Sequence, residues 1–217
     1  QLQLLQTPMF PNLSTNLPGG QTIPDYNPPA TRPNIDLSDP SVAGDAAVQF
    51  LSPTTTTARY WKCSQAGLPA GSCNGDTLLP GYYGNLTVTG NGRAILLTEG
   101  FYSFTSISIG GGNAIVAAQP RGSRTVVLSE GDVTAASSHA FIGPDSGRMA
   151  TGYGSGPNEF LGGTMMLISL SDITIPSDNR IWATLSAPYG EVHMANQVRL
   201  YGQVFAKRLI GDNNIDF

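Results

Sequence analysis

Leu86-Thr87-Val88 precedes Gly90-Asn91-Gly92 and then Ile95-Leu96-Leu97; Ile107-Ser108-Ile109 precedes Gly110-Gly111-Gly112-Asn113 and then Ile115-Val116-Ala117. Leu86 and Ile107 are 21 residues apart, and Ile95 and Ile115 are 20 apart. Each run is short, and its alternation turns one or two side chains inward. The Gly and Asn between runs supply the positive φ that sharp corners need. Similar runs follow at Val126-Val127-Leu128, Val133-Thr134, Met165 to Ile168, Ile173-Thr174-Ile175, Ile181-Trp182, Val192-His193-Met194, Val198 to Tyr201 and Val204-Phe205-Ala206. Coils of roughly 20 residues, stacked about 4.8 Å apart with Ile, Val and Leu in inward ladders, form a β-solenoid. The expected fold is therefore all-β, a β-solenoid (β-helix) over residues 78–217, with a two-sheet β-sandwich as the alternative.

Composition agrees and excludes other classes. The chain has 217 residues, a formal net charge of −4, 26 Gly, 16 Pro and only 12% charged residues. A coiled coil or helix bundle needs Ala, Glu, Lys and Leu at helical spacing, which is absent. The 11 Lys and Arg are scattered, which argues against nucleic acid as a partner. No apolar run is long enough for a membrane span.

Upstream of the repeats the chain reads differently. Residues 1–45 hold Pro8, Pro11, Pro18, Pro24, Pro28, Pro29, Pro33 and Pro40, so this zone is expected to be an extended arm, neither helix nor central strand. Its first six residues alternate, with Leu2 and Leu4 on one strand face and Leu5 beside them, and form a candidate donor strand. Residues 46–77 read as an irregular segment; Ala43 to Phe50 fits a short helix or a strand, and Thr54 to Thr57 favours extended chain. Cys63 and Cys73 close a Gly- and Pro-containing loop, and their disulfide is expected to stabilise by about 2–3 kcal/mol. A start at Gln1 is read as the trace of a removed signal or leader, which places the protein outside the cell or on its surface. Asn12-Leu13-Ser14 and Asn85-Leu86-Thr87 match the glycosylation pattern, which chance often produces.

One string has a counterpart elsewhere. Leu79-Pro80-Gly81-Tyr82-Tyr83-Gly84-Asn85-Leu86-Thr87-Val88, echoed by Leu97-Thr98-Glu99-Gly100-Phe101-Tyr102-Ser103-Phe104, resembles the opening of a bacterial surface domain found at the C-terminus of PilX-like pilus-assembly proteins. Leu200 to Lys207 is similar to its coil motif, and Asn214 to Phe217 to its final strand. The resemblance covers residues 78–217. It implies a right-handed β-solenoid with a surface or appendage role, and no chemistry. On this echo Gly81 and Gly100 are equivalent corners, and Tyr83 and Tyr102 stack in successive coils. The anchor helix of the pilus-linked members has no counterpart in this sequence.

Chemical constellations are sparse. A β-helix enzyme acting on carbohydrate needs paired carboxylates or a base beside calcium. Here Asp132, Asp145, Asp172, Asp178 and Asp212 stand apart, so the chain is expected not to be an enzyme and to need no cofactor. Asp145 and Asp212 are the Ca²⁺ candidates, and neither completes a calcium-loop motif. Glu191 and His193 share a strand face, read as a solvated face rather than a metal or acid–base pair. Ser137, Ser138, His139 and Asp145 have triad chemistry without an elbow or oxyanion signature. Gly110 to Gly112 is a corner rather than a phosphate loop. Thr87 and Thr89 invite comparison with ice-binding threonine rows, a row expected to break at Ser106 to Ser108 and at Asp172. The Gly-rich stretch Ala140 to Gly163 carries Phe141, Tyr153 and Phe160 and is a candidate binding loop.

The leading expectation is an exported structural subunit of a surface filament, sheath or pilus-like appendage. Its partners are copies of itself, joined when Leu2, Leu4 and Leu5 add a strand to a neighbour. The alternatives are a monomeric adhesin or glycan-binding module using the 140–163 loop, and a carbohydrate-active β-helix enzyme.

Overall fold

A computed structural model of the chain describes residues 28–38, 43–49, 57–89, 92–117, 124–135, 140–144 and 165–215. The chain divides into a unit of Gln1–Thr31, of which residues 28–31 are described, and a unit of Arg32–Phe217. The donor-strand residues Leu2, Leu4 and Leu5 lie outside the described residues.

Among the described residues the larger unit is all-β apart from one 3-10 turn at Cys63–Gln65. It opens with β1 (Ile35–Asp36), β2 (Ala43–Gln49), β3 (Thr57–Trp61), β4 (Cys73–Asn74) and β5 (Thr77–Leu78). Strands then arrive in threes: β6 (Gly81–Tyr82), β7 (Leu86–Val88) and β8 (Arg93–Leu97); β9 (Gly100–Phe104), β10 (Ile107–Ile109) and β11 (Ala114–Ala117). The pattern repeats with β12 (Thr125–Ser129), β13 (Val133–Ala135) and β14 (Phe141–Pro144), then β15 (Met165–Ser169), β16 (Ile173–Ile175) and β17 (Arg180–Ile181). Last come β18 (Thr184–Met194), β19 (Arg199–Leu200) and β20 (Val204–Gly211). β18 is long enough to pair with β15 through Thr184–Ser186 and with β16 through Val192–Met194. Two curled sheets result; only β2 with β3 and β4 with β5 pair antiparallel among the described strands.

Three side-chain ladders share one interior. The first runs Ile35, Leu86, Ile107, Val133, Ile173, Val192 and Leu209, each in register with the next. The second runs Tyr102, Val127, Leu167, Leu185 and Val204. The third runs Ile95, Ile115, Ile142, Ile181 and Leu200. All of these except Leu209 and Val204 are buried in a single cluster. Burying one such aliphatic side chain contributes roughly 1.5–3 kcal/mol, so the ladders are the main stabilising term.

Registers correct the reading of the Gly-Tyr echo. Gly81 pairs with Tyr102, not Gly100, because Leu86 must meet Ile107 in the ladder. Tyr83 therefore stacks on Phe104 (centroids 5.5 Å apart), and Tyr102 instead donates its hydroxyl to the Leu78 carbonyl at 2.7 Å. Both phenols are buried. Burial pushes the pKa of Tyr83 up to about 12 and raises that of Tyr102 as well. The unfolded chain thus loses these protons first, near pH 10, and stability present below that pH is lost as pH rises through the folded values. Ionisation of Tyr83 and Tyr102, followed by their own ring resonances in NMR, and loss of the β-sheet circular dichroism signal should appear together above about pH 10; ionisation of these two phenols with the sheet signal intact would contradict this.

The start of the stack is covered. Leu37, Trp61, Cys63 and Leu78 are buried there. Cys63 and Cys73 form the expected disulfide. Arg32 forks onto Glu130 with contacts of 2.9 and 3.0 Å, fastening the segment before β1 across the stack.

Candidate functional site

The corners explain most of the polar residues. Asn113 and Asn179 are fully buried. The Asn113 side chain accepts the Arg93 N–H at 2.9 Å and donates to the Val88 carbonyl at 3.3 Å. Asn179 accepts the Ala140 N–H at 2.6 Å and donates to the Pro176 carbonyl at 2.7 Å. Each thus bridges its own turn to the preceding one, and a buried backbone group left without such a partner costs about 1–3 kcal/mol.

A second ladder uses the acidic residues. Asn34 accepts the Asn85 N–H at 2.9 Å, and Asn85 accepts the Ser106 hydroxyl at 3.0 Å. Asp132 accepts the Asp172 N–H at 3.3 Å, and Asp172 accepts the Glu191 N–H at 2.8 Å. Glu191 ends the series in an ion pair with Arg208. Asp132 and Asp172, which stand apart in sequence, are therefore corner acceptors one turn apart.

This placement also resolves the threonine row. Thr87, Ser108, Thr134 and Thr174 stack in register on the outward side. Asp172 does not interrupt them; it lies in the neighbouring row with Asn85, Ser106, Asp132 and Glu191. That second row carries carboxylates, so charged side chains flank the threonine row on this side.

Of the remaining candidates, Glu191 and His193 do share the outward side of β18. Glu191 is committed to Arg208, and His193 Nε2 stands 3.7 Å from Asp212 Oδ1. Hydrogen bonding and charge from Glu191 raise the Arg208 pKa. Among the described residues no group of three or more His, Cys, Asp and Glu can hold a metal ion. Asp145, Ser137, Ser138, His139, Tyr153 and Phe160 lie outside the described residues, and Phe141 opens β14. No described helix is long and apolar enough to cross a membrane.

The feature that stands apart is the far end of the stack. β20 pairs with β18 on one edge, and no described strand pairs with its other edge. Leu209, the seventh rung of the first ladder, is 47% exposed, although its neighbour Val192 is fully buried. Phe205 on the opposite side of β20 is 44% exposed. β19 likewise ends its own column, with Tyr201 beyond it 43% exposed and stacked on Trp182 at a centroid distance of 4.1 Å. Sequence reading missed this aromatic pair, although Arg180-Ile181-Trp182 and Arg199-Leu200-Tyr201 repeat 19 residues apart and signal it. No family model matches the chain, and comparison with curated proteins and with solved structures returns no match.

Proposed function

We propose that the chain is an exported structural subunit whose parallel strands wind as a β-solenoid, and that it polymerises when a strand from one copy joins the open β20 edge of the next. The half-exposed Leu209 carries this reading. It occupies a ladder position whose other members are buried, so another strand over β20 would bury it, together with the half-buried Val204 and Ala206. Hydrophobic burial and backbone pairing would then drive addition at this end. At the opposite end the apolar side chains Ile35 and Leu37 are buried, unlike Leu209, so contacts would run head to tail and propagate as open filaments.

The alternating Gln1-Leu2-Gln3-Leu4 segment suits the donor role, because a strand over β20 needs one apolar face. The in-register parallel pairing and three strands per turn support a solenoid over a sandwich, whose sheets are mainly antiparallel. The disulfide fits an oxidising compartment outside the cytosol. Electron microscopy of the purified chain beside a variant lacking residues 1–7 tests the reading. Filaments from the intact chain alone are expected; filaments from both, or from neither, would contradict it.

A further inference from the structure

We infer that the outward side of β17 and β19 is a binding site for an acidic sugar unit of a polysaccharide. Ile181 and Leu200 point into the core, so Arg180 and Trp182 on one turn, and Arg199 and Tyr201 on the next, face outward in register. Two guanidiniums thus lie on adjacent strands roughly 4.8 Å apart, where like charges disfavour each other. Burial and the neighbouring Arg199 lower the Arg180 pKa, with the Tyr201 hydroxyl acting the other way, which places these three groups in one electrostatic neighbourhood.

Both arginines stand on the outward side in register, so one anion set beside them can accept N–H groups from both. Both arginines make further contacts in the folded chain. A guanidinium carries five N–H donors, so contacts already made need not exhaust it. The Trp182–Tyr201 stack adds an apolar surface, and the column stops at β19 while β18 continues onto β20. The exposed Tyr201 ring therefore borders a step where a sugar ring can lie flat on it while its carboxylate or sulfate meets the arginine fork.

The site is separate from the β20 edge and does not depend on polymer formation. Titration calorimetry of the full chain against polygalacturonate, dextran sulfate and neutral dextran tests it. Saturable, salt-weakened binding to one or both acidic polymers is expected, with none to dextran; the two acidic arms separate carboxylate from sulfate recognition. Arg199→Gln should weaken binding at least tenfold with thermal unfolding unchanged; Tyr201→Ala should weaken it at least tenfold while lowering the thermal midpoint through loss of the Trp182 stack, and Tyr201→Phe should retain binding. If Tyr201→Ala fails to fold, Arg199→Gln and Tyr201→Phe still decide the matter. No binding to either acidic polymer, equal binding to dextran, or undiminished binding by Arg199→Gln would overturn the assignment.

Discussion

Gly202→Ala is expected to unfold the C-terminal turns. A Cβ at Gly202 would sit 1.9 Å from the Ala183 carbonyl oxygen and 2.7 Å from its carbon, both backbone atoms that cannot swing aside like a side chain. The backbone here is pinned from both directions: the Tyr201 N–H donates to the Ile181 carbonyl at 2.7 Å, and the Leu185 N–H donates to the Gln203 carbonyl at 2.8 Å. Making room breaks one of these bonds and lifts the Trp182–Tyr201 stack. The expected loss is about 3 kcal/mol or more, at the upper end for overpacked sites. Gly81→Ala is the control, since its Cβ would meet nothing closer than 3.4 Å. Thermal denaturation of both variants checks the difference, and a Gly202→Ala midpoint equal to that of Gly81→Ala would show that successive turns do not approach this closely.

Leu209→Lys is expected to leave the single subunit folded and to abolish assembly. In the lone chain Leu209 is already half exposed, so a lysine there keeps its ammonium in water at a stability change within about 1 kcal/mol. Under an added strand the same lysine loses its hydration, and an unpaired buried charge costs several kcal/mol, which weakens the contact by more than about a hundredfold. Lysine is also a residue that natural sheets use to keep open edges from pairing. Sedimentation velocity at concentrations where the parent chain polymerises reads the effect. Polymers of undiminished length would mean that assembly uses another surface.

The sequence made one region more legible than the rest. The spacing from Leu86 to Ile107 survives as a register pair because only a short corner separates those turns. The next rungs, Val133, Ile173, Val192 and Leu209, follow at intervals of 26, 40, 19 and 17 residues, so a fixed period fails even though the ladder continues. The additional residues fall between strands in sequence, so the strand registers stay intact. Of stretch 43–50, ambiguous between helix and strand, Ala43–Gln49 forms strand β2, which pairs with β3. The Gly-Tyr echo misled by two residues, since similar letters counted for less than the inward aliphatic positions.

The polar ladders were hidden for a related reason. Asn179 finds its partner at Ala140 and Asp132 at Asp172, each about 40 residues away in sequence and one turn away in space. Nothing local distinguishes such an Asp from one placed in solvent. The open end was equally silent, because Leu209 has the alternation of a buried strand and differs only in lacking a further neighbour among the described strands. In contrast, the disulfide was legible, since a short, flexible loop leaves Cys63 and Cys73 little choice of partner.

The most direct test of head-to-tail strand addition mixes two chains that cannot assemble alone. A chain lacking residues 1–7 retains the β20 edge without the donor, and Leu209→Lys retains the donor with a blocked edge. Each is predicted to sediment as a monomer, and the equimolar mixture to form a one-to-one dimer that grows no further. A mixture that stays monomeric, or that yields long polymers, would contradict strand addition at β20.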